Sequence, residues 1–476
     1  MEISNKRSPS IRYTVVGFGQ AGSRIADKFA EYRNAENMPI YQTYALNSND
    51  GDLTELKHIP IENRVSLRLG GLGKNPEKAT RILKENQEAG QLLKHFITER
   101  VQVQDDVVLF CAGLGGGTGT ATIVRAIEEF HQHHNLPIFR AAVAKAVEQI
   151  GREEFESNRA KYQTQVFKAI EPKFKKLGII VTLPTRSDGP DVLRQVNDFA
   201  RQIWELTTKK VNGVYFTLFA DNQMFYDRFE AAQGRTTFTN YRDFANSEIV
   251  THLHRINMGT NVGGTSVTFD SNDFRRILTE EHGCFVLNYA EAQHTEIQNN
   301  NDLKDLIVKS LVSNKYHDAI RINSEQGGDS EIAKVYHLGI LAILPPEMQK
   351  LGSAFIDQAK TEIIKSITLD GTVFSGYLVA NNNYKVTAYT FYKVSDLPAR
   401  LVKGLVEEYK EFMQKRNNVQ FKTAEIERIE AEEEVYDLDF DILGDDTKKP
   451  NKEKNVEDNL KAIMDIDFTN LDINKL

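Results

Sequence analysis

Short apolar runs alternate with helix-patterned stretches across the first 220 residues, which predicts an α/β fold on a parallel sheet covered on both faces. Two of these runs end in glycine turns that feed helices directly, as the strands of a nucleotide-binding sheet do. The strand candidates are Tyr13 to Val16, Tyr41 to Leu46, Val107 to Phe110, Ile179 to Leu183 and Val214 to Phe219. A helix from Asp191 to Leu206 keeps Val192, Leu193, Val196, Phe199, Ala200 and Ile203 on one side. Ligands in such sheets sit at the carboxyl ends of the strands, so the loops at that edge carry the chemistry.

The first loop follows Tyr13, Thr14, Val15 and Val16 and reads GxGxxG through Gly17, Gly19 and Gly22, with Gln20 and Ala21 inside it. The helix after it repeats an apolar face through Ala21, Ile25, Ala26, Phe29 and Ala30. The second loop is longer: Gly113, Leu114, Gly115, Gly116, Gly117, Thr118, Gly119 and Thr120 follow the apolar run Val107 to Cys111. So much glycine between strand and helix leaves backbone N–H groups uncovered beside a positive helix end, a place for phosphate oxygens. A flexible linker is the bland alternative, but linkers are not normally flanked by a buried strand and an amphipathic helix.

Two common nucleotide classes are disfavoured. A dinucleotide fold expects an acidic residue on the ribose after the second strand, whereas Tyr44, Ala45, Leu46 ends in Asn47, Ser48, Asn49. A Walker-type loop needs GxxxxGK[ST], and neither turn is followed by lysine in that way. A third loop reads Gly70, Gly71, Leu72, Gly73, Lys74, Asn75, Pro76.

Two glycine turns on separate strands, the asparagine-rich strand end between them and this third loop together resemble the tubulin and FtsZ superfamily, in which GGGTGT is the specific form of the phosphate loop. Asn47 to Asn49, Asn75 with Pro76, Thr182 to Pro184 and the segment from Phe391 to Arg416 most resemble the TubZ type, the plasmid and phage segregation tubulins. The resemblance implies a GTP/GDP pocket formed by the residues of the two turns just named, with Asn47, Asn49, Gly73 and Asn75 at its rim. It also implies Asp188 on the ribose, and Asn222 and Asn246 on the guanine. Taken alone, each asparagine reads as a turn or cap residue. Asp270 and Asp273 open a helix pattern three residues apart, which by itself is ordinary capping. In the superfamily the equivalent loop is inserted against the γ-phosphate of the neighbouring subunit, so the resemblance makes the pair catalytic. The asparagine that FtsZ proteins carry two residues earlier is Thr268 here.

A filament-forming GTPase follows as the expectation, with each chain meeting a second copy head to tail. Mg²⁺ is expected on the phosphates, held mainly through phosphate oxygens and water and without a protein metal cage. The expected role is segregation of plasmid or phage DNA through a DNA-binding adaptor protein, because the chain offers no basic stripe interleaved with aromatics for direct contact with nucleic acid. An FtsZ-like division scaffold is the alternative within the family. A dinucleotide-dependent oxidoreductase and a non-hydrolysing filament protein are alternatives of other classes.

At 476 residues the chain exceeds one ordinary core, and 40% apolar with 26% charged residues is the composition of a soluble globular protein. The expected division is a GTP-binding domain over 1–240 with a helical insertion near 140–176, and a central helix over 241–262. A smaller α+β second domain over 263–395, a C-terminal helix over 396–423 and a tail over 424–476 follow. In the second half, strands are expected at Cys284 to Asn288, Leu338 to Leu344 and Val373 to Ala380, with helices at Glu347 to Ser366 and Pro398 to Arg416. The tail holds 17 acidic and 7 basic residues, a net of −10 where the whole chain is −8, and is expected to be solvated and disordered. Its last apolar residues, among them Leu460, Ile463 and Phe468, read equally as a short partner-binding motif or an inert solubilising end. Cys111 and Cys284 lie in apolar runs and read as inert core thiols, which argues against disulfide, zinc and catalytic-cysteine chemistry. No run is apolar enough to span a membrane, and Met1 to Ser10 lacks the apolar centre of a secretory signal, so a cytoplasmic protein is expected.

Overall fold

A computed structural model describes residues 8–101, 105–209, 213–232, 234–260, 269–322, 332–380 and 384–418. The acidic tail and Thr268 lie outside the described residues, as do the ends of the expected central and C-terminal helices.

Ten strands among the described residues form one sheet. They are β1 (Tyr13–Phe18), β2 (Gln42–Asn47), β3 (Arg64–Ser66), β4 (Val107–Gly113), β5 (Lys176–Leu183), β6 (Val214–Asp221), β7 (Gly283–Gln293), β8 (Val335–Leu344), β9 (Val373–Val379) and β10 (Lys385–Val394). Their order is β3-β2-β1-β4-β5-β6-β7-β10-β8-β9. Strands β3 through β7 in that order are all parallel, β10 is antiparallel to both β7 and β8, and β9 returns parallel to β8. The parallel part passes into the antiparallel part through two paired positions, Phe216 with Gly283 and Thr217 with Cys284.

The parallel strands read as continuous apolar runs because both faces are covered. Along β1, Val16 and Phe18 pack with Phe110, Ala112, Ile179 and Val181 on one face, while Tyr13 and Val15 pack with Leu109, Cys111 and Ile180 on the other. Both cysteines are free and fully buried, and burial pushes both thiols far above their ordinary range.

The chain order reverses at β1, whose neighbours are β2 on one side and β4 on the other. A crevice opens outside the strand ends at such a switch point. Both glycine turns leave from this place, because β1 and β4 are adjacent in register from Tyr13 with Val107 to Phe18 with Ala112.

Helices fall close to where the pattern puts them, with two corrections. The helix expected from Glu347 starts at Ala354 and runs to Ser366; Pro346–Leu351 forms a 3₁₀ segment instead, and Gly352 turns the chain at φ 71°. The helix expected from Pro398 begins with a π turn over Arg400–Gly404 before the regular helix Leu405–Asn418. The stretch expected as a helical insertion near 140–176 forms three helices, Leu136–Ile150, Arg152–Ser157 and Arg159–Ile170, before β5 begins at Lys176. Val143 and Phe155 anchor it, both with 0% exposure.

Candidate functional site

The two glycine turns touch each other, and side chains are excluded where they do. A Cβ on Gly22 would collide with the carbonyl of Cys111 in β4, so the helix Gly19–Ala30 lies directly on the neighbouring strand. Gly19 holds φ +66°, and a Cβ there would come within 2.6 Å of the Gly119 nitrogen. This is the close backbone approach that a phosphate cradle requires.

The second turn opens the helix Gly117–Phe130. Its N-cap is Gly116, no side chain caps it, and its first turn holds no acid. The helix Gly19–Ala30 likewise lacks both a capping side chain and an acid in its first turn. Two helix N-termini thus meet at one place with no side chain competing for their N–H donors. The threonines brace the turn: Thr120 Oγ1 donates to the carbonyls of Gly113 (3.1 Å) and Gly116 (2.6 Å), and Thr122 Oγ1 to that of Thr118 (2.7 Å). Gly115 lies under Pro184 and Val192.

The other loops form the rim. The Gly117 N–H donates to the carbonyl of Gly73 (3.0 Å), and the hydroxyls of Ser48 and Thr118 are 2.7 Å apart, so the third loop and the end of β2 both reach the second turn. Asn47 Nδ2 donates to Asp52 (2.9 Å), whose other oxygen accepts from Gln20 Nε2 (3.3 Å). Asn49 caps the short helix Asp50–Thr54 through Gly51 N (2.9 Å), and Asn75 caps Pro76–Glu85 through Lys78 N (2.8 Å). Lys74 reaches across to Asp188 (2.6 Å), which also accepts from Thr185 N and Oγ1. Burial pushes the Asp188 carboxyl up, but the bonds from Lys74 and Thr185 outweigh it and hold the group below the usual carboxylate range.

Asn222 begins the helix Asn222–Ala231 where β6 ends, with Asp221 as its N-cap. Asn246 lies in the second turn of the helix Tyr241–Gly259 and is 7% exposed. Neither amide bonds to another described residue. Tyr241, in the same helix, stacks edge-on with Tyr226 and feels the charges of Asp188 and Lys74. The turns, the asparagine-rich strand end, the third loop, Asp188 and Asn222 therefore share the carboxyl edge of the parallel strands.

Asp270 and Asp273 do not join them. Asp270 caps the helix Ser271–Thr279 by accepting from Asn272 N (2.8 Å) and Asp273 N (2.9 Å), and Asp273 accepts from Asp270 N (3.2 Å) in return. This helix lies at the amino edge. Its Arg275 pairs with Asp106 (3.0 Å), just ahead of β4, and Asp106 accepts from the Arg12 N–H (3.0 Å), just ahead of β1. Asn257, near the end of the helix Tyr241–Gly259, bonds to Ser10 and Ile11 at the same edge. Six- and seven-residue strands at about 3.3 Å per residue separate the two edges by on the order of 20 Å. The acid-bearing helix is fixed at its far end as well. Lys393, with 0% exposure, donates to the carbonyls of Leu278 (3.0 Å), Glu280 (3.3 Å) and Glu281.

No protein-family model matches the chain. TubZ of Bacillus thuringiensis subsp. israelensis is 25% identical over 294 residues, which are 57% of this chain and 52% of that protein. CetZ of Thermococcus kodakarensis is 34% identical over 128 residues, 25% of this chain and 31% of that one. The chain thus spans about half the length, or less, of these curated relatives. Among solved structures, GDP-form protofilaments of Bacillus thuringiensis serovar israelensis TubZ superpose with a TM-score of 0.61 at 20% identity, over 87% of this chain and 94% of that one. The GDP-bound monomer of CetZ1 from Haloferax volcanii gives 0.55 at 21% identity, over 84% and 99%. The chain is similar in sequence to the tubulin-like proteins TubZ and CetZ and shares their fold.

Several residues of this site escape sequence reading. Ser48, Asp52, Lys74, Thr185 and Tyr241 all line or brace the rim. Ser48 and Lys74 carried a signal, the first inside the asparagine-rich strand end and the second inside the third glycine loop.

Proposed function

We propose that the chain binds GTP and GDP in the crevice between the glycine turns, stacks head to tail with further copies, and cleaves GTP to GDP and phosphate only where two copies meet. One copy supplies the cradle; the next supplies Asp270 and Asp273, which orient a water for attack on the γ-phosphate. The observation that carries this reading is the placement of those carboxylates at the edge of the sheet opposite the bare helix N-termini. A contact that joins opposite ends of identical chains does not close, so it builds a filament. TubZ is known as GDP-form and GTPγS-form protofilaments and as two- and four-stranded filaments, which supports nucleotide-linked assembly here.

Mg²⁺ accompanies the phosphates in this proposal. Among the described residues no group of three or more His, Cys, Asp or Glu is placed to hold a metal, and Asp52 is a carboxylate braced between the first turn and the end of β2. The division into a GTP-binding part over 1–240, a central helix over 241–262 and a second part over 263–395 belongs to the same reading. The cellular role we favour is movement or positioning of plasmid or phage DNA in the cytoplasm, through a DNA-binding adaptor engaged by the acidic tail. No described helix is long and apolar enough to cross a membrane.

The test is GTP turnover per chain against protein concentration, paired with sedimentation. Turnover is expected to be nearly absent below a critical concentration and to rise sharply above it. A constant rate per chain across that range overturns the shared site.

A further inference from the structure

Arg400 sits in the π turn ahead of the helix Leu405–Asn418 and is 5% exposed. A guanidinium offers five N–H donors in a fixed fork, and the surroundings here engage all three of its nitrogens. Nε and Nη2 clasp Glu408 (3.1 and 2.9 Å), while Nη1 donates to the Pro184 carbonyl (2.8 Å) and to Asp221 Oδ1 (2.5 Å). The backbone N–H of the same residue donates to Asp318 (2.7 Å).

Pro184 begins the loop that carries Asp188, and Asp221 immediately precedes Asn222. The same carboxylate oxygen of Asp221 also accepts from Gln223 N (2.9 Å). Gln223 Oε1 in turn accepts from Arg186 N (2.8 Å), and Arg186 Nε donates to Glu408 (3.2 Å). The bonds close a ring through Arg400, Asp221, Gln223, Arg186 and Glu408. Both loops expected to read the ribose and the base are tied to each other and to one carboxylate on the 405–418 helix.

From this ring we infer that Arg400 is a positioning residue for base selection, holding the Pro184–Asp188 loop and Asn222 in register through Glu408 and thereby linking that helix to the nucleotide. The inference rests on the guanine-nucleotide reading of the pocket. A lysine cannot replace the fork, because an ammonium lacks the planar bidentate geometry. Loss of one partner also leaves Asp221 buried without its counter-charge.

The experiment measures GDP, inosine diphosphate and ADP affinities of the full chain by calorimetry, for wild type, Arg400→Lys and Glu408→Gln. Arg400→Lys is expected to lower the preference for GDP over ADP about tenfold or more, since small misplacements of a recognition group cost that much. Glu408→Gln leaves Asp221 paired and is expected to lower the preference less, in the same direction. It carries the test if Arg400→Lys does not fold. Folded variants that keep the wild-type preference within twofold overturn the proposal. A wild-type chain that does not prefer GDP to ADP overturns the guanine reading instead.

Discussion

The two glycine-turn helices at the carboxyl edge of the parallel sheet and the acid-bearing helix at its amino edge begin in opposite ways. At the carboxyl edge the helices Gly19–Ala30 and Gly117–Phe130 begin without a side-chain cap or a first-turn acid. At the amino edge the helix Ser271–Thr279 begins with a reciprocal carboxylate cap and ends on a buried ammonium. Bare N–H groups call for an anion from outside; satisfied ones do not. On the function proposed above, one edge receives phosphate and the other presents acids of fixed aim, and a single chain cannot bring them together.

The contrast breaks most severely at Asp270. Asp270→Ala is expected to cut GTP turnover by roughly 10²-fold or more while GTP affinity in calorimetry stays near wild type. As an N-cap alone it accounts for about 1 kcal/mol of stability, so a large kinetic loss with a small change in denaturation midpoint separates the two roles. Next comes Gly22→Ala at the opposite edge. The added methyl meets strand backbone that cannot shift, so a loss of about 3 kcal/mol in denaturant unfolding is expected, together with loss of nucleotide binding. Gly70→Ala sharpens that result. Gly70 has φ +64° but nothing within 4 Å of a Cβ, so only the backbone cost of about 1 kcal/mol is expected.

A smaller effect concerns pH and neither edge. Within the helix Tyr241–Gly259, burial pushes the Glu248 carboxyl up, but His252, Arg228 and the Tyr289 hydroxyl (2.6 Å) outweigh it and hold the group well below its ordinary range. We attribute the charge mainly to Arg228 and Tyr289, because burial pushes His252 toward its neutral form. A depressed carboxyl stabilises the fold fully above its unfolded value of 4.5, and that contribution is lost as pH falls below it. Unfolding midpoints are expected to drop between pH 5 and about 3, with a shallower slope for Glu248→Gln. An unchanged slope removes Glu248 from the account.

The core strands were legible because each is buried on both faces, so β1, β4, β5 and β6 appear as uninterrupted apolar runs with ends only a few residues off. The carboxyl edge was legible for a related reason, since glycine is demanded there by backbone contact. What the pattern hides is long-range partnership. Arg400 looks like one more base in a helix, and its partners Asp221 and Pro184 lie 179 and 216 residues away. Lys393 sits in an otherwise apolar strand, and its purpose is visible only once the end of another helix is folded over it. Helix starts were missed where local backbone overrode periodicity. Pro345 and Pro346 with Gly352 delay one helix, and the π turn at Arg400–Gly404 alters the register of another.

The sealed thiols have a practical consequence. The sequence contains only Cys111 and Cys284, and both are inaccessible with sulfur held in the unreactive protonated form. A maleimide dye will therefore find a single engineered surface cysteine and nothing else, so one fluorophore can be attached at either end of the molecule in the otherwise natural chain.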